Sequence, residues 1–302
     1  MGDVEIEFGK TVGKTLVRSV LQEQHPDLAG LSLVQVAGGW DNRMWRLGEE
    51  LAVRLPRTMR AASLLRSEQR WLPVLASQLP LPIPTPVRAG EPSGRFPRPW
   101  TVTRWIPGEP GDRAPIRDAD HAAGRLAGFL RALHREAPGQ APHNPVRGVP
   151  LSTLANHFHE RLDAVIAHVD VTGVRQVWDQ AASTPDWAGP PLWIHADLHP
   201  ANVVTAGGRL AGIIDFGDLC AGDPATDLAA AWMLLPVGTV PRFLEAYANA
   251  DHATIQRARG WAVLFALGLI GIGMAWDRGR PRGQPTWGAA GRKALGHVLT
   301  SG

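Results

Sequence analysis

Cysteine is almost missing from this chain: Cys220 is the only one in 302 residues. An internal disulfide and any cysteine-built zinc or iron–sulfur centre are therefore excluded, and the composition suits a reducing compartment. Lysine is nearly as scarce, with Lys10, Lys14 and Lys293 the only three among 31 basic residues. Any chemistry that asks for a lysine has few positions to draw on. Charge of one sign is also lacking, because 31 Lys and Arg against 28 Asp and Glu leave only +3. That is too little, and too scattered, for a nucleic-acid-binding field, despite a sequence pI of 9.6. Residues 1–10 contain no apolar segment, so no secretory signal is expected, and the cytoplasm is the expected location. The one stretch that could be mistaken for a membrane span, Trp261–Trp276, has sixteen residues without a charge, where a bilayer needs about twenty. It reads as a buried helix, and no membrane partner is expected. No internal repeat and no low-complexity segment occurs.

A chain of this length exceeds what one core normally supports, which predicts two domains. The balance of 44% hydrophobic to 20% charged residues is that of a folded protein. Val4, Ile6 and Phe8 alternate with acidic residues as a weak strand, and Thr15–Gln24 has helical spacing. Strands follow at Leu31–Val36, Arg43–Leu47 and Leu51–Leu55, separated by turns at Gly38-Gly39 and Glu49-Glu50. A helix at Ala61–Leu75 leads to a proline-rich connector at Pro80–Pro86, then to a strand pair at Val87–Ala89 and Trp100–Trp105. Beyond Pro107-Gly108 helical patterns dominate, at Asp120–His134, Leu151–His168 and Thr254–Trp276. Short strand-like islands interrupt them at Trp193–Ala196 with Val203-Val204, and at Leu210–Asp215. The expected architecture is α+β, an antiparallel β domain over 1–106 followed by a mainly helical domain over 107–302.

Acidic chemistry clusters around those islands. In His195-Ala-Asp-Leu-His-Pro-Ala-Asn202, Asp197 and Asn202 stand five apart, and Asp215 opens Asp-Phe-Gly after an apolar strand. Phosphoryl transfer from a nucleotide needs a carboxylate to orient a hydroxyl and oxygen ligands that hold Mg²⁺ against phosphates. Asp197, Asn202 and Asp215 supply that set.

Together these segments resemble the catalytic loop and metal-binding segment of the aminoglycoside phosphotransferase family, whose fold is that of the protein kinases. The resemblance makes Asp197 the catalytic aspartate, Asn202 and Asp215 the magnesium ligands, and Asp227 a buried brace for the loop. His199, two residues after Asp197, either steadies the transferring phosphate or holds the loop; His195 reads as structural. In the first half, Ala37-Gly-Gly-Trp-Asp-Asn42 occupies the place of the nucleotide-positioning loop, implying nucleotide contacts from Gly38, Gly39 and Asn42. The third strand, where the family has lysine, carries Arg54, with Glu68 on the following helix as its natural partner. Thr103–Gly108 aligns with the family's hinge, implying adenine contacts from the backbone of Arg104 and Ile106. A competing phosphate motif, Gly9-Lys-Thr-Val-Gly13-Lys14-Thr15, falls one residue short of a P-loop and is followed by no βαβ unit.

The implied protein is a monomer or weak dimer that moves the γ-phosphate of ATP or GTP, with Mg²⁺, to a hydroxyl of a small molecule. An aminoglycoside leads by resemblance, with Asp218, Glu245 and Asp277 as carboxylates for its ammonium groups. A macrolide, for which Trp232, Trp261 and Trp276 are suited, or a choline-like or sugar-amine metabolite is the alternative acceptor. From another class, a nucleotide-binding pseudoenzyme rests on Arg54 standing where lysine is usual.

Overall fold

The computed structural model describes residues 12–36 and 41–301. The chain divides into two compact units, 1–78 with 82–106, and 79–81 with 107–302. In the smaller unit α1 (Lys14–Gln24) buries Val17, Val20 and Leu21, an i, i+3, i+4 stripe. Five strands follow: β1 (Leu33–Val36), β2 (Asn42–Leu47), β3 (Leu51–Pro56), β4 (Pro86–Gly90) and β5 (Trp100–Arg104). They form one antiparallel sheet in the order β1-β2-β3-β5-β4. Leu33, Trp45, Leu47, Val53 and Val102 join the α1 stripe in a single core. Between β3 and β4 runs α2 (Met59–Ala76), started by Thr58, whose hydroxyl accepts the Ala61 N–H at 3.1 Å. The weak strand expected at Val4–Phe8, and the first part of the P-loop-like segment, lie outside the described residues. Lys14 is exposed and opens α1, and among the described residues the sheet of this unit contains only antiparallel pairs, not the parallel pair a P-loop strand requires.

The larger unit is mainly helical. Its strands are short: β6 (Glu109–Pro110), β8 (Val203–Ala206) and β9 (Arg209–Ile213) make one antiparallel sheet, and β7 (Leu192–Ile194) pairs with β10 (Cys220–Gly222). Helices α3 (Ala119–Leu133), α4 (Ala155–Val165), α5 (Val171–Ala182), α6 (Ala225–Leu228), α7 (Ala230–Leu234) and α8 (Val240–Tyr247) precede the 26-residue α9 (His252–Asp277) and α10 (Trp287–Thr300). The expected single helix over Leu151–His168 is instead α4 flanked by 3₁₀ turns at Leu151–Leu154 and Ile166–His168, the tighter winding common at helix ends.

Helix α9 is apolar on every face and, as expected, lies inside the unit with residues Arg257–Leu267 all buried. By length and composition alone it could cross a membrane, yet 72% of its apolar window is covered by protein. Backbones meet where α9 crosses α10: a Cβ on Gly273 would fall 2.3 Å from the Gly288 Cα, so no larger side chain fits there without moving a helix.

Candidate active site

Strand β7 delivers the chain into the loop His195–Asn202, and the placement of that loop depends on a residue thirty positions later. Asp227, fully buried in α6, accepts the backbone N–H of both His195 and Ala196 at 2.7 Å. Its Oδ2 also meets His134 Nε2 at 3.2 Å, and His134 Nδ1 meets the Tyr247 hydroxyl at 2.8 Å. Burial, with the charges of Asp227 and Asp223, pushes the Tyr247 phenol up, so it stays protonated. The brace expected at Asp227 is therefore built, with two supports that no sequence motif marked.

Between the two clamped amides and Asp197 the backbone is strained. Ala196 has φ 70°, and Asp215, in the second half of the site, has φ 64°. A left-handed alanine or aspartate costs on the order of 1–3 kcal/mol and persists only where neighbours over-determine it. Asp227 does so for Ala196. For Asp215 the anchors are on Ile214, whose N–H reaches Asn202 O at 2.9 Å and whose carbonyl accepts from His195 Nε2 at 3.0 Å. His195 is buried, lies 4.5 Å from the Phe216 ring and takes the Asp197 N–H on Nδ1 at 3.3 Å. It is a structural tie between the two segments, as expected.

The Asp197 carboxylate is held on both oxygens. Asn202 Nδ2 donates to Oδ2 at 3.0 Å and to the Asp197 carbonyl at 2.9 Å. His199 Nε2 stands 3.5 Å from the same Oδ2, while its Nδ1 accepts the Ala201 N–H and its ring lies edge-on to Trp287 at 4.6 Å. Arg147 Nη2 approaches Oδ1 at 3.4 Å. Burial alone would raise this carboxyl; the charge and hydrogen bond of His199, with Arg147 and His195, outweigh it and hold it well below the usual carboxylate range. Asp197 is thus an anion, about a quarter exposed, aimed by three donors.

Asp215 is exposed two residues beyond β9. Since the Asn202 amide nitrogen is spent on Asp197, its carbonyl oxygen remains for a hard cation. One carboxylate and one amide oxygen suit Mg²⁺, which completes its shell with phosphate and water. Among the described residues no three His, Cys, Asp or Glu cluster as a self-sufficient metal cage.

The three carboxylates expected at an acceptor lie on separate segments. Asp218 accepts from Asn144 Nδ2 at 2.9 Å. Glu245 is exposed on α8, whose buried face is Val240, Phe243 and Tyr247, and Asp277 is exposed on the final residue of α9. Trp232 and Trp261 are core residues, 3% and 0% exposed, leaving only Trp276 at the surface.

In the smaller unit, Arg54 on β3 and Glu68 on α2 form a buried two-pronged pair, Nη1 with Oε2 and Nη2 with Oε1 at 3.1 Å. Asn42 opens β2 opposite Pro56 and is buried. Arg104 ends β5 with its side chain exposed and its N–H on the Thr85 carbonyl, and Ile106 is buried. Gly38 and Gly39 lie outside the described residues.

A profile of the phosphotransferase enzyme family matches residues 32–261, well over half of the chain. The chain belongs to that family. Its fold is shared with the GDP complex of aminoglycoside 2'-phosphotransferase-IIIa (21% identity, TM-score 0.67, covering 95% of this chain and 98% of that one). It is shared also with a macrolide 2'-phosphotransferase of Brachybacterium faecium (20% identity, TM-score 0.59, 95% and 98%). Among curated proteins, a homoserine kinase of Pseudomonas aeruginosa is 28% identical over 172 residues, 53% of this chain and 52% of that one. The chain thus spans about half the length of the curated relatives it matches. Within this phosphotransferase-family fold, sequence reasoning missed Arg147, Arg161, His134 and Trp287, which approach the 195–202 loop or its supports from remote segments. Tyr247 alone carried a signal, as the only tyrosine in the chain.

Proposed function

We propose that this protein transfers the γ-phosphate of ATP or GTP to a hydroxyl of a small molecule, with Asp197 as the group that takes the hydroxyl proton. The observation that carries the reading is the three-donor setting of Asp197, whose Oδ2 is fixed by Asn202 and His199 and whose Oδ1 faces Arg147. An anion held so firmly does not remove a proton from a resting alcohol. It orients the hydroxyl and accepts its proton as the bond from oxygen to phosphorus forms and the β–γ anhydride bond breaks. Asn202 and Asp215 would hold Mg²⁺, which neutralises charge on the phosphates. Arg54, kept rigid by Glu68, is the smaller unit's candidate for the phosphate grip that lysine gives elsewhere, since its guanidinium fork suits phosphate as well as carboxylate. His199 steadies both Asp197 and the loop.

A cytoplasmic enzyme acting alone fits this reading. The fold likeness favours an aminoglycoside or a macrolide as acceptor and the partial match a hydroxy amino acid; the charge around Asp197 discriminates among them, as argued next. The test of the phosphotransferase reading is Asp197→Asn. Positioned general bases contribute roughly 10²–10⁴ in rate, so kcat for phosphoryl transfer is expected to fall by that range while nucleotide affinity changes little. An unchanged kcat would remove Asp197 from the mechanism. Nucleotide binding without transfer to any hydroxyl compound would favour the pseudoenzyme.

A further inference from the structure

Two guanidinium groups, those of Arg147 and Arg161, come together beside Asp197. Arg147 Nη2 stands 3.4 Å from Asp197 Oδ1, and its guanidinium carbon lies 5.1 Å from the centre of the Phe265 ring. Arg161, from α4, donates through Nη1 to the carbonyl of Leu264 at 2.8 Å, the residue next to Phe265 on α9. It passes over Gly268, where a Cβ would sit 3.1 Å from Nη1. Both cations are thus pinned to one turn of α9.

Arg147 is placed deliberately. Gly148, with φ 66°, turns the chain against the backbone of Gly222 and accepts the Asp223 N–H at 3.0 Å, while Pro142 O accepts from Ala221 N at 2.9 Å. Asn144 links the same segment to Asp218 and to the Val146 N–H. The segment from 142 to 148 is stitched along the chain that follows the Asp-Phe-Gly, and the stitching presents Arg147 to Asp197.

The charges do not balance. The contact of Asp197 with Arg147 is a single long one, not the two-pronged pairing that arginine makes with a matched carboxylate, and the neighbouring carboxylate of Asp218 accepts from Asn144. Arg147 Nε is buried with no hydrogen-bond partner, and among the described residues no carboxylate lies within ion-pair distance of Arg161. Burying a cation without its counter-charge is costly, and an unpaired donor in such a place is a demand for an acceptor atom. A polycationic substrate would worsen the imbalance. A substrate that brings its own anion would cancel it.

We infer that the acceptor is a small hydroxylated molecule carrying a carboxylate, which Arg147 and Arg161 bind while its hydroxyl lies on Asp197. The inference rests on the phosphotransferase reading and deepens it. The test uses wild-type enzyme with ATP and Mg²⁺ and matched probes: 3-hydroxypropanoate, 4-hydroxybutyrate and L-serine, the primary amide of each, and kanamycin as a polycation. The expected result is a kcat/KM for the best acid at least tenfold above that for its amide, carried in KM, with the ratio collapsing toward one in Arg161→Gln. If Arg161→Gln does not fold, the acid-to-amide ratio of the wild type decides alone. Equal kcat/KM for acid and amide, or transfer to kanamycin in preference, would overturn the carboxylate assignment and leave the phosphotransferase standing. If the guanidiniums serve the transferring phosphate, Arg161→Gln lowers kcat on acid and amide alike with no change in their ratio, which also overturns it. Transfer to none of the probes, or to any other hydroxyl compound, would overturn both.

Discussion

One carboxylate, that of Asp227, fixes the two amides that precede Asp197, and it is charged, buried and far away in sequence. Removing it leaves the His195 and Ala196 N–H groups and His134 Nε2 without an acceptor in a dry interior. At about 1–3 kcal/mol for each orphaned buried group, Asp227→Ala is expected to cost roughly 3–9 kcal/mol, read as a drop in the urea midpoint. If enough protein remains folded at low temperature, kcat should fall further than the folded fraction, because Ala196 loses the bonds that hold it at φ 70°. Equal losses in stability and activity would make Asp227 a support of the fold alone. At this scale much of the site was legible from the residues: Asp197, Asn202 and Asp215 declare themselves by spacing, and Glu68 by its distance from Arg54. What stayed hidden was the set of partners that only tertiary folding brings in. Arg147 lies fifty residues before Asp197, and nothing in Asn144–Gly148 distinguishes it from an ordinary surface arginine.

Elements were legible in proportion to how much of their stability is local. Helices with a strong apolar stripe, α1, α2 and α3, and the strands β2, β3 and β5 appear within a residue or two of expectation. The two-residue β6 and three-residue β10 exist only because β8 and β7 offer them a ladder, so no local pattern announces them. Helix α10 carries three glycines in its fourteen residues and gains its order from α9 instead of from propensity. It also has a titrating element. His297 is buried on α10 with Nδ1 near the Trp232 carbonyl at 3.3 Å, and burial holds its imidazole below the ordinary histidine range. A base whose folded value is depressed binds protons more tightly when unfolded. Stability should therefore be full above about pH 6.5, the unfolded value, and decline as pH falls from there toward the folded value. Comparing urea midpoints at pH 7.5 and 5.5, the fall should be smaller in His297→Gln than in the wild type. An identical fall in both would show that His297 does not titrate differently in the two states.

Taken as a whole, the molecule has two units, and each holds a polar centre of its own: a buried arginine–glutamate pair in the smaller, the Asp197 loop in the larger. Fold class was legible at this scale because the switch from period-two to helical patterning near residue 106 is sharp. The acceptor was not, because its charge is set by side chains that neighbour Asp197 only in space. The lone thiol gives a further check on burial. Cys220 is 1% exposed, and burial, with the charges of Asp227 and Asp218, pushes its thiol far above the ordinary range. Iodoacetamide at pH 8 should leave native protein unlabelled and modify it fully in urea; rapid native labelling would mean that β10 opens.

Helix α9 has one more consequence, which concerns manufacture. A ribosome adds about 5–20 residues each second, so α10, which covers the crossing at Gly273, is completed seconds after α9 has been made. Until α10 packs against it, the newly made chain presents a 26-residue helix whose length and hydropathy are those of a membrane span. Targeting machinery that reads nascent hydrophobicity and the folding of the larger unit thus compete for one segment, and the winner is set by how soon Trp287–Thr300 leaves the ribosome. Gly273→Val, which blocks the seat of α10 on α9, should divert newly made chains to the membrane fraction, whereas Gly296→Ala, which meets open space, should not.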